Sequence, residues 1–391
     1  HLERGGTLTH VQGSRNTGDS FRSIATLAGV PTGVAESGSV DILLKSGIDR
    51  FTMDLHGGYD GVDITEKEPF CNRALNEAST ATPIEGSNYA FNSVKRAIDS
   101  VSDPEVVEYN LMVAPGITHE GLTNHMINVC EDRGDALAII DLNGDFEPIT
   151  ENANTFDARR GSVSEVVQNL QNRAMNTSYG CAYYPWVQIR DPQAGNFVWC
   201  PPSVVALGTL ASSEKKSELW FAPAGFNRGG LTEGSAGLPV VNVTDRLTAD
   251  DRDALYAANV NPIATFPAEG IVIFGQKTLQ VTPSALDRIN VRRLMIHVKK
   301  EISRMATQVL FDQNVRSTWN RFLGMAKPFL RSIMSRFGLD DFKVVLDETT
   351  TTPDLVDRNI MYAKIFLKPS RSIEFIALDF TITNSGASFE I

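Results

Sequence analysis

The chain has 391 residues, 42% apolar and 21% charged, with 18 Pro and 30 Gly. That balance suits two or three globular domains and excludes collagen-like, low-complexity and coiled-coil classes. The formal net charge of −11 argues against binding a nucleic-acid duplex through the general field, and the longest apolar runs, 136–140 and 271–274 among them, fall far short of the roughly 18 to 20 residues a bilayer requires, so no membrane insertion is expected.

Residues 1–108 read as a mixed α/β segment with outer loops: a strand-like piece at Arg50–Leu55, turn residues Gly57, Gly58, Asp60 and Gly61, a polar loop from Asn76 to Asn88, and a helix at Tyr89–Ser100. No targeting leader is visible before this material, and the fragment is expected to lack its natural start. From residue 109 the pattern changes. Tyr109–Ala114 is a continuous apolar strand, Pro115 and Gly116 turn the chain, Thr118 opens a helix to about Asp132, and Ala136–Leu142 is a second buried strand. Strand, helix and strand at this spacing predict a parallel βαβ unit covered on both faces. A helix over Ser162–Asn176 follows, then strands at Cys181–Ile189 and Asn196–Trp199 around the Asp191–Gly195 turn. Next come a short helix capped by Thr248 and Asp251, and strands at Ile263–Phe266 and Gly270–Phe274.

The last hundred residues carry the clearest periodicity. Val291, Leu294, Met295, Val298, Ile302, Met305 and Val309 mark an amphipathic helix within Ala285–Phe311, and Trp319, Phe322, Phe329, Leu330 and Ile333 mark a second within Val315–Phe337. Three strands are predicted after them, at Phe342–Asp347, Asn359–Lys368 and Ile373–Thr383. In the last of these Ile376, Leu378, Phe380 and Ile382 alternate with Ala377, Asp379, Thr381 and Thr383, one dry face and one wet. The fold class is therefore α/β, α+β overall: an α/β sandwich core followed by two long helices on a small antiparallel sheet. The domain division is 1–108, 109–283 and 284–391.

Motifs for chemistry are thin. His119 and His125 stand six apart, about 240° round a helix, so they do not share a metal there and read as surface residues. Asp141, Asn143 and Asp145 imitate half of a calcium loop, but Phe146 stands where Gly is required and Asn152 where Glu is required, leaving a turn after a strand. Gly57, Gly58 and Gly61 fit a tight turn better than a phosphate nest, because no Lys or helix follows. No GxSxG, GxxxxGK[ST] or GxGxxG motif occurs. Cys71, Cys130, Cys181 and Cys200 form no CxxC pair and read as reduced core residues. Neither a metal nor a cofactor is expected.

One charge feature stands out. Between Ala285 and Gly338 there are eleven basic residues (Arg288, Arg292, Arg293, Lys299, Lys300, Arg304, Arg316, Arg321, Lys327, Arg331 and Arg336) against Asp287, Glu301 and Asp312, a local balance of +8 that leaves −19 on the rest. Such a segment is either two solvated helix faces or a docking surface for an acidic patch on another copy or a fixed partner.

A resemblance adds to this reading. Gly57-Gly58-Tyr59-Asp60-Gly61, Tyr109–Thr118 with Ala114-Pro115-Gly116, Ala136–Leu142, Ser178–Pro192 with Tyr184-Pro185-Trp186-Val187, Pro201-Pro202-Ser203, Ala222–Asn227, Asn261–Leu279 and Ile289–Leu294 occur in this order. Together they resemble the tail sheath proteins of contractile-tailed bacteriophages and related contractile injection machines. Gln276-Lys277 departs from the Ala-Arg common in relatives, and Cys200 from a Val, without consequence for the fold. The resemblance implies a non-enzymatic virion-tail protein, assembled in the bacterial host cytoplasm as hexameric rings that stack helically around a tail tube protein. Baseplate and tail terminator proteins are the further partners, and contraction drives the tube through the host envelope. It implies a tube-facing C-terminal domain, and an N-terminal arm that pairs with a neighbour; no such arm is read before His1, so the chain is expected to be a truncated form. Ile376, Leu378, Phe380 and Ile382 would form the strand edge a neighbour joins, and Arg292, Arg293, Lys299 and Lys300 the tube or neighbour contact. Two other readings stay open. One is an α/β hydrolase-like enzyme using His56 with Asp54; the other is a glycan-binding module using Tyr183, Tyr184, Trp186, Trp199 and Trp220, though such rings are more often core.

Overall fold

The computed structural model describes residues 89–191, 195–232 and 238–374, a few positions between 70 and 75, and four short strands before residue 38. The strand predicted at Arg50–Leu55, the glycine turn at 57–61, His56 with Asp54, and the loop at Asn76–Asn88 lie outside the described residues. The chain divides into two compact units, one of residues 1–107, 116–129 and 147–160, the other of residues 108–115, 130–146 and 161–391.

In the first unit, strands β1 (Leu2–Arg4), β2 (Thr7–Val11), β3 (Phe21–Thr26) and β4 (Glu36–Ser37) form an antiparallel sheet in the order β3-β2-β1-β4. Helix α1 (Tyr89–Ser100) buries Ala90, Phe91, Val94 and Ile98, a spacing that places them on one stripe. Phe91 meets the His119 ring edge-on at 5.1 Å, and His125 Nε2 lies 2.6 Å from Asp99 Oδ1. Both imidazoles are half-buried with partners of their own, where the sequence suggested surface residues.

The second unit is built on a five-stranded sheet. Its parallel strands are β5 (Leu111–Val113), β6 (Leu137–Ile140), β7 (Gly180–Tyr184) and, after further elements, β11 (Val260–Phe266); β12 (Gly270–Ile273) joins antiparallel at the edge, giving the order β12-β11-β7-β6-β5. Every residue of β6 and β7 is buried, which is why both read as unbroken apolar runs. Helix α2 (Glu120–Arg133) connects β5 to β6, and its last turn sets Cys130 Sγ 3.8 Å from Met112 Sδ. The predicted βαβ unit is thus present. Short helix α3 (Phe156–Arg159) belongs to the first unit, and helix α4 (Val163–Asn172) returns to the second.

The predicted strand Cys181–Ile189 is in fact two. Pro185 has no N–H to donate to a ladder, and at the cis Tyr184–Pro185 peptide the chain leaves β7 for β8 (Val187–Arg190). That strand pairs with β9 (Phe197–Cys200) and β10 (Val240–Val243) in a separate antiparallel sheet. Helix α5 (Pro202–Lys216) packs Val205, Ala206 and Leu210 against Leu137, Ile139, Cys181 and Tyr183. Proline suits its first position, and the buried Asp141 carboxylate accepts from Ser203 N at 3.1 Å and Ser203 Oγ at 2.7 Å, satisfying one orphan N–H of that helix start together with the serine hydroxyl. Helix α6 (Ala249–Ala257) carries the predicted Thr248/Asp251 capping box.

The long helices are α7 (Ile289–Thr307) and α8 (Arg316–Ser335). Arg288 is extended (φ −115°, ψ 136°), so the predicted helix from Ala285 resolves into a 3-10 turn at Ala285–Asp287 and α7 proper. Strands β13 (Leu339–Val345) and β14 (Lys364–Pro369) form an antiparallel hairpin around the short helix α9 (Pro353–Asp357). Trp220, Leu294, Val298, Leu330, Ile333 and Leu339 make one core here, with Ile365 and Leu367 of β14 against it; Val309, Trp319, Phe322, Ala326 and Leu346 make another. The second predicted strand starts later, at Lys364 rather than Asn359, because α9 and the positive φ of Asn359 (60°) precede it.

Candidate functional site

The C-terminal hairpin presents the first candidate surface. Along β14 the side chains alternate, Ile365 and Leu367 inward, Lys364, Phe366 and Lys368 outward, with the Phe366 ring 57% exposed. β14 has β13 as its one strand partner among the described residues, and no described strand pairs with its other edge. Ile376, Leu378, Phe380 and Ile382, the expected strand-edge residues, lie outside the described residues.

What is described is the anchor just before them. Glu374 is held by four donor atoms. Arg288 donates through Nε to Oε1 (2.6 Å) and through Nη2 to Oε2 (2.9 Å), Tyr256 Oη donates to Oε2 (3.0 Å), and Gln276 Nε2 donates to Oε1 (3.1 Å). Gln276 Nε2 also donates to Ser372 Oγ. Lys277 Nζ lies 4.3 Å from the Tyr256 ring centroid and donates to the Tyr256 carbonyl at 2.6 Å. Burial alone would push the Glu374 carboxyl up, but the bonds and charge of Arg288, with Gln276 and Tyr256, hold it below its ordinary 4.5. The opposite holds for the Tyr256 phenol, which burial and then the Glu374 charge push up. No local motif signals this cluster, since Glu374 lies 118 positions from Tyr256 and 86 from Arg288.

The basic helices are the second candidate surface, and folding consumes most of their charge. Arg292 is buried with its guanidinium 4.1 Å over the Tyr179 ring and an Nη2 bond to Ser178 Oγ. Arg293, 4% exposed, pairs through Nη2 with Glu214 Oε2 at 2.7 Å. Burial lowers both guanidinium pKa values, and Glu214 opposes that shift at Arg293. The structure therefore places these two as internal cations. Lys300 and Arg304 share Glu108 at 2.9 and 3.0 Å, Arg321 pairs with Asp312, and Arg336 with Glu218 at 2.7 Å. Lys299 is exposed, its ammonium lying over Gly134, where an added Cβ would meet Nζ at 2.2 Å. Lys327 and Arg331, one turn apart on α8, have no ion-pair partner among the described residues.

The remaining candidates are interior. Tyr183, Tyr184, Trp186 and Trp220 are each at most 6% exposed, so these rings build core rather than a platform. Asp141 and Asp145 point inward: Asp141 serves helix α5, and Asp145 Oδ1 accepts from Trp186 N at 3.4 Å while burial, with Asp141 and Asp245 nearby, pushes its carboxyl well up. All four cysteines are free thiols, and burial pushes Cys130, Cys181 and Cys200 up to about 12. Among the described residues no His, Cys, Asp and Glu group is arranged to hold a metal, and no helix is long and apolar enough to cross a membrane.

Comparison with known proteins bears on these surfaces. Residues 90–279 match the family model for the phage tail sheath protein central domain, and residues 281–383 that for the phage tail sheath C-terminal domain. The chain is 33% identical over 311 residues to the tail sheath protein of Vibrio phage KVP40, covering 75% of this chain and 44% of that protein. It is 29% identical over 307 residues to the tail sheath protein of Enterobacteria phage T4, covering 75% and 45%. It thus spans less than half the length of the curated relatives it matches. Among solved structures, it superposes on a chain of the PVC sheath complex in contracted state, from an extracellular contractile injection system, with a TM-score of 0.57, 25% identity and 73% and 74% of the two chains covered. A chain of the anti-feeding prophage baseplate shares the fold at a TM-score of 0.57 and 19% identity, with 79% and 84% covered.

Proposed function

The chain belongs to the phage tail sheath family, and on that premise we propose that it is a structural and mechanical subunit of a contractile tail, without enzymatic activity, which polymerises helically around an inner tube. The observation that carries this reading is the family match running through both the central and the C-terminal domain, 90–279 and 281–383. The junction at about 280 also supports a division of the chain near residue 284. Copies of itself in stacked hexameric rings, a tail tube protein, and baseplate and tail terminator proteins are the proposed partners, the virion tail its place, and the host cytoplasm its site of assembly.

Physics constrains how such a subunit works. A repeated contact between unlike faces that does not close on itself generates an open helix. Main-chain pairing at a free sheet edge holds neighbours together while each swings as a rigid body. The hairpin edge at β14 and the strand expected at 373–383 are the proposed site of that pairing. Stored contraction requires a barrier, so the extended state is held kinetically and new contacts between subunits drive the shortening. Contacts to the tube are proposed to be weak and polar, since the tube must be released. Lys299 and Lys300, with Lys327 and Arg331 of α8, are the proposed surface for them.

The test is assembly of the full chain beside a chain ending at Glu374. The full chain should sediment as polymer, and the shortened one should stay soluble and folded. Polymer of equal yield from the shortened chain refutes strand pairing through residues 375–391.

A further inference from the structure

Among the described non-glycine residues with positive φ, the bulky ones are Phe311 (67°) and Phe337 (63°). That left-handed conformation is costly for a large side chain, whereas glycine adopts it freely. At Phe337 helix capping accounts for it, since Gly338 N donates to Ile333 O at 3.0 Å and closes the end of α8. Phe311 stands between α7 and α8, at the third position of a turn closed by Asp312 N donating to Val309 O at 3.3 Å. With positive φ, that position calls for Gly or Asn. Phe311 is nevertheless fully exposed, and Leu310 beside it is 59% exposed. A strained backbone that presents a ring to solvent points to a contact outside the subunit.

A receptor for such a ring lies on the same chain. A cavity of about 420 Å³ opens between the ends of α4 and α6 and the segment after β12, walled by Leu170, Met175, Ala257, Leu279 and Val281. Val281 is 65% exposed, so the apolar wall reaches the surface. The two asparagines of the wall are engaged by their own chain: Asn176 Oδ1 accepts from Val281 N (2.9 Å) and Thr282 N (3.2 Å), and Asn259 Nδ2 donates to Gln280 O (3.3 Å). Both helices meet the cavity with their C-terminal ends. That partly negative pole of a helix suits the partly positive edge of an aromatic ring.

We propose that Phe311, with Leu310 beside it, inserts into this cavity of a neighbouring copy. The inference rests on the reading that the chain polymerises. Full exposure of Phe311 shows that it does not fill the cavity of its own subunit. The area involved selects the occupant. One aromatic side chain buries about 150 to 250 Å², far below the roughly 1,200 Å² of a stable pairwise complex. Such a contact does not hold a dimer by itself, but it suits a lattice in which several neighbours hold each subunit at once. Ring and cavity are different places on one chain, so the contact joins unlike faces and, repeated, runs on as an open helix. The turn holds the ring outward before copies meet, which lowers the ordering cost of joining.

The test compares the full chain with Phe311→Gly, with Ala257→Trp, which blocks the cavity, and with Phe337→Gly as the control that relieves equal strain elsewhere. The readouts are critical concentration for polymer and unfolding midpoint of the unassembled chain. Phe311→Gly and Ala257→Trp should each raise the critical concentration about tenfold, the effect of one buried aromatic side chain, while Phe337→Gly leaves it unchanged. The midpoint of Phe311→Gly should hold or rise, because glycine relieves the turn. If Ala257→Trp does not fold, Val281→Asp, at an exposed position of the wall, decides in its place. Unchanged assembly in Phe311→Gly overturns the proposal. So does impaired assembly in Phe311→Gly beside normal assembly in the cavity variant, which assigns the ring to some other surface. A matching fall in unfolding midpoint makes Phe311 an internal stabiliser and overturns it as well. An unaltered chain that stays single at every concentration removes the polymer reading itself, and this contact with it.

Discussion

Reversing the charge at Arg293 separates an internal cation from a docking one. In Arg293→Glu a carboxylate takes a position that is 4% exposed, and its neighbour is the Glu214 carboxylate that the guanidinium now meets at 2.7 Å. Breaking a buried pair so that a charge is left unmatched costs about 3 to 5 kcal/mol. Because the Glu214 side chain is 45% exposed, water screens one partner and the lower end, about 3 kcal/mol, is the better figure. For a unit of this size that is a fall of roughly 10 °C in unfolding midpoint. The assay is thermal or denaturant unfolding of the unassembled chain, with Arg331→Glu as the exposed control, expected within about 0.5 kcal/mol of the unaltered protein. An Arg293→Glu chain as stable as the control, with assembly alone impaired, would refute the interior assignment and return Arg293 to an interface.

Two further substitutions probe the interior. In Gly161→Ala the new Cβ would sit 1.7 Å from the Gly144 carbonyl oxygen and 2.4 Å from that of Asp145, so the backbone must part, and denaturant unfolding should register a loss of roughly 3 kcal/mol or more. Asp145→Asn tests a pH linkage. The folded-state pKa of Asp145 lies above its ordinary 3.8, so the folded protein binds the proton more tightly and stability falls as pH rises from about that value through the folded pKa. An amide keeps the acceptor for Trp186 N without the charge, and the unfolding midpoint of the variant, measured from pH 4 upward, should gain on the unaltered protein as pH rises. A constant gap across that range would show that Asp145 carries no such linkage.

Long amphipathic helices and continuous buried strands were legible because one residue type repeats at one period. Val291 to Val309 announces α7, and the apolar run at 136–142 announces β6. Boundaries set by single backbone residues were less so, as at Pro185, where one predicted strand becomes members of two sheets, and at the extended Arg288. Helix α5 carried no periodic signal, since Ser203, Val205, Ala206, Thr209, Leu210 and Ser213 are all buried and polar and apolar types are mixed on that face. The candidate site shows the sharper limit. A run of eleven cations looks like a docking patch along the sequence, but Glu108, Glu214, Glu218 and Glu374, remote in sequence, neutralise much of it in space. The Glu374 cluster was invisible for the same reason: its members meet only because the sheet, α6 and the hairpin bring them together.

The most direct measurement is a cryo-electron microscopy reconstruction of the full chain brought to high concentration. A sheath subunit should yield open helical tubes in which a strand from a neighbouring copy continues the sheet of β13 and β14, with Glu374 still held by Arg288. Particles that remain single at every concentration, or closed assemblies whose β14 edge meets no neighbouring strand, would contradict it.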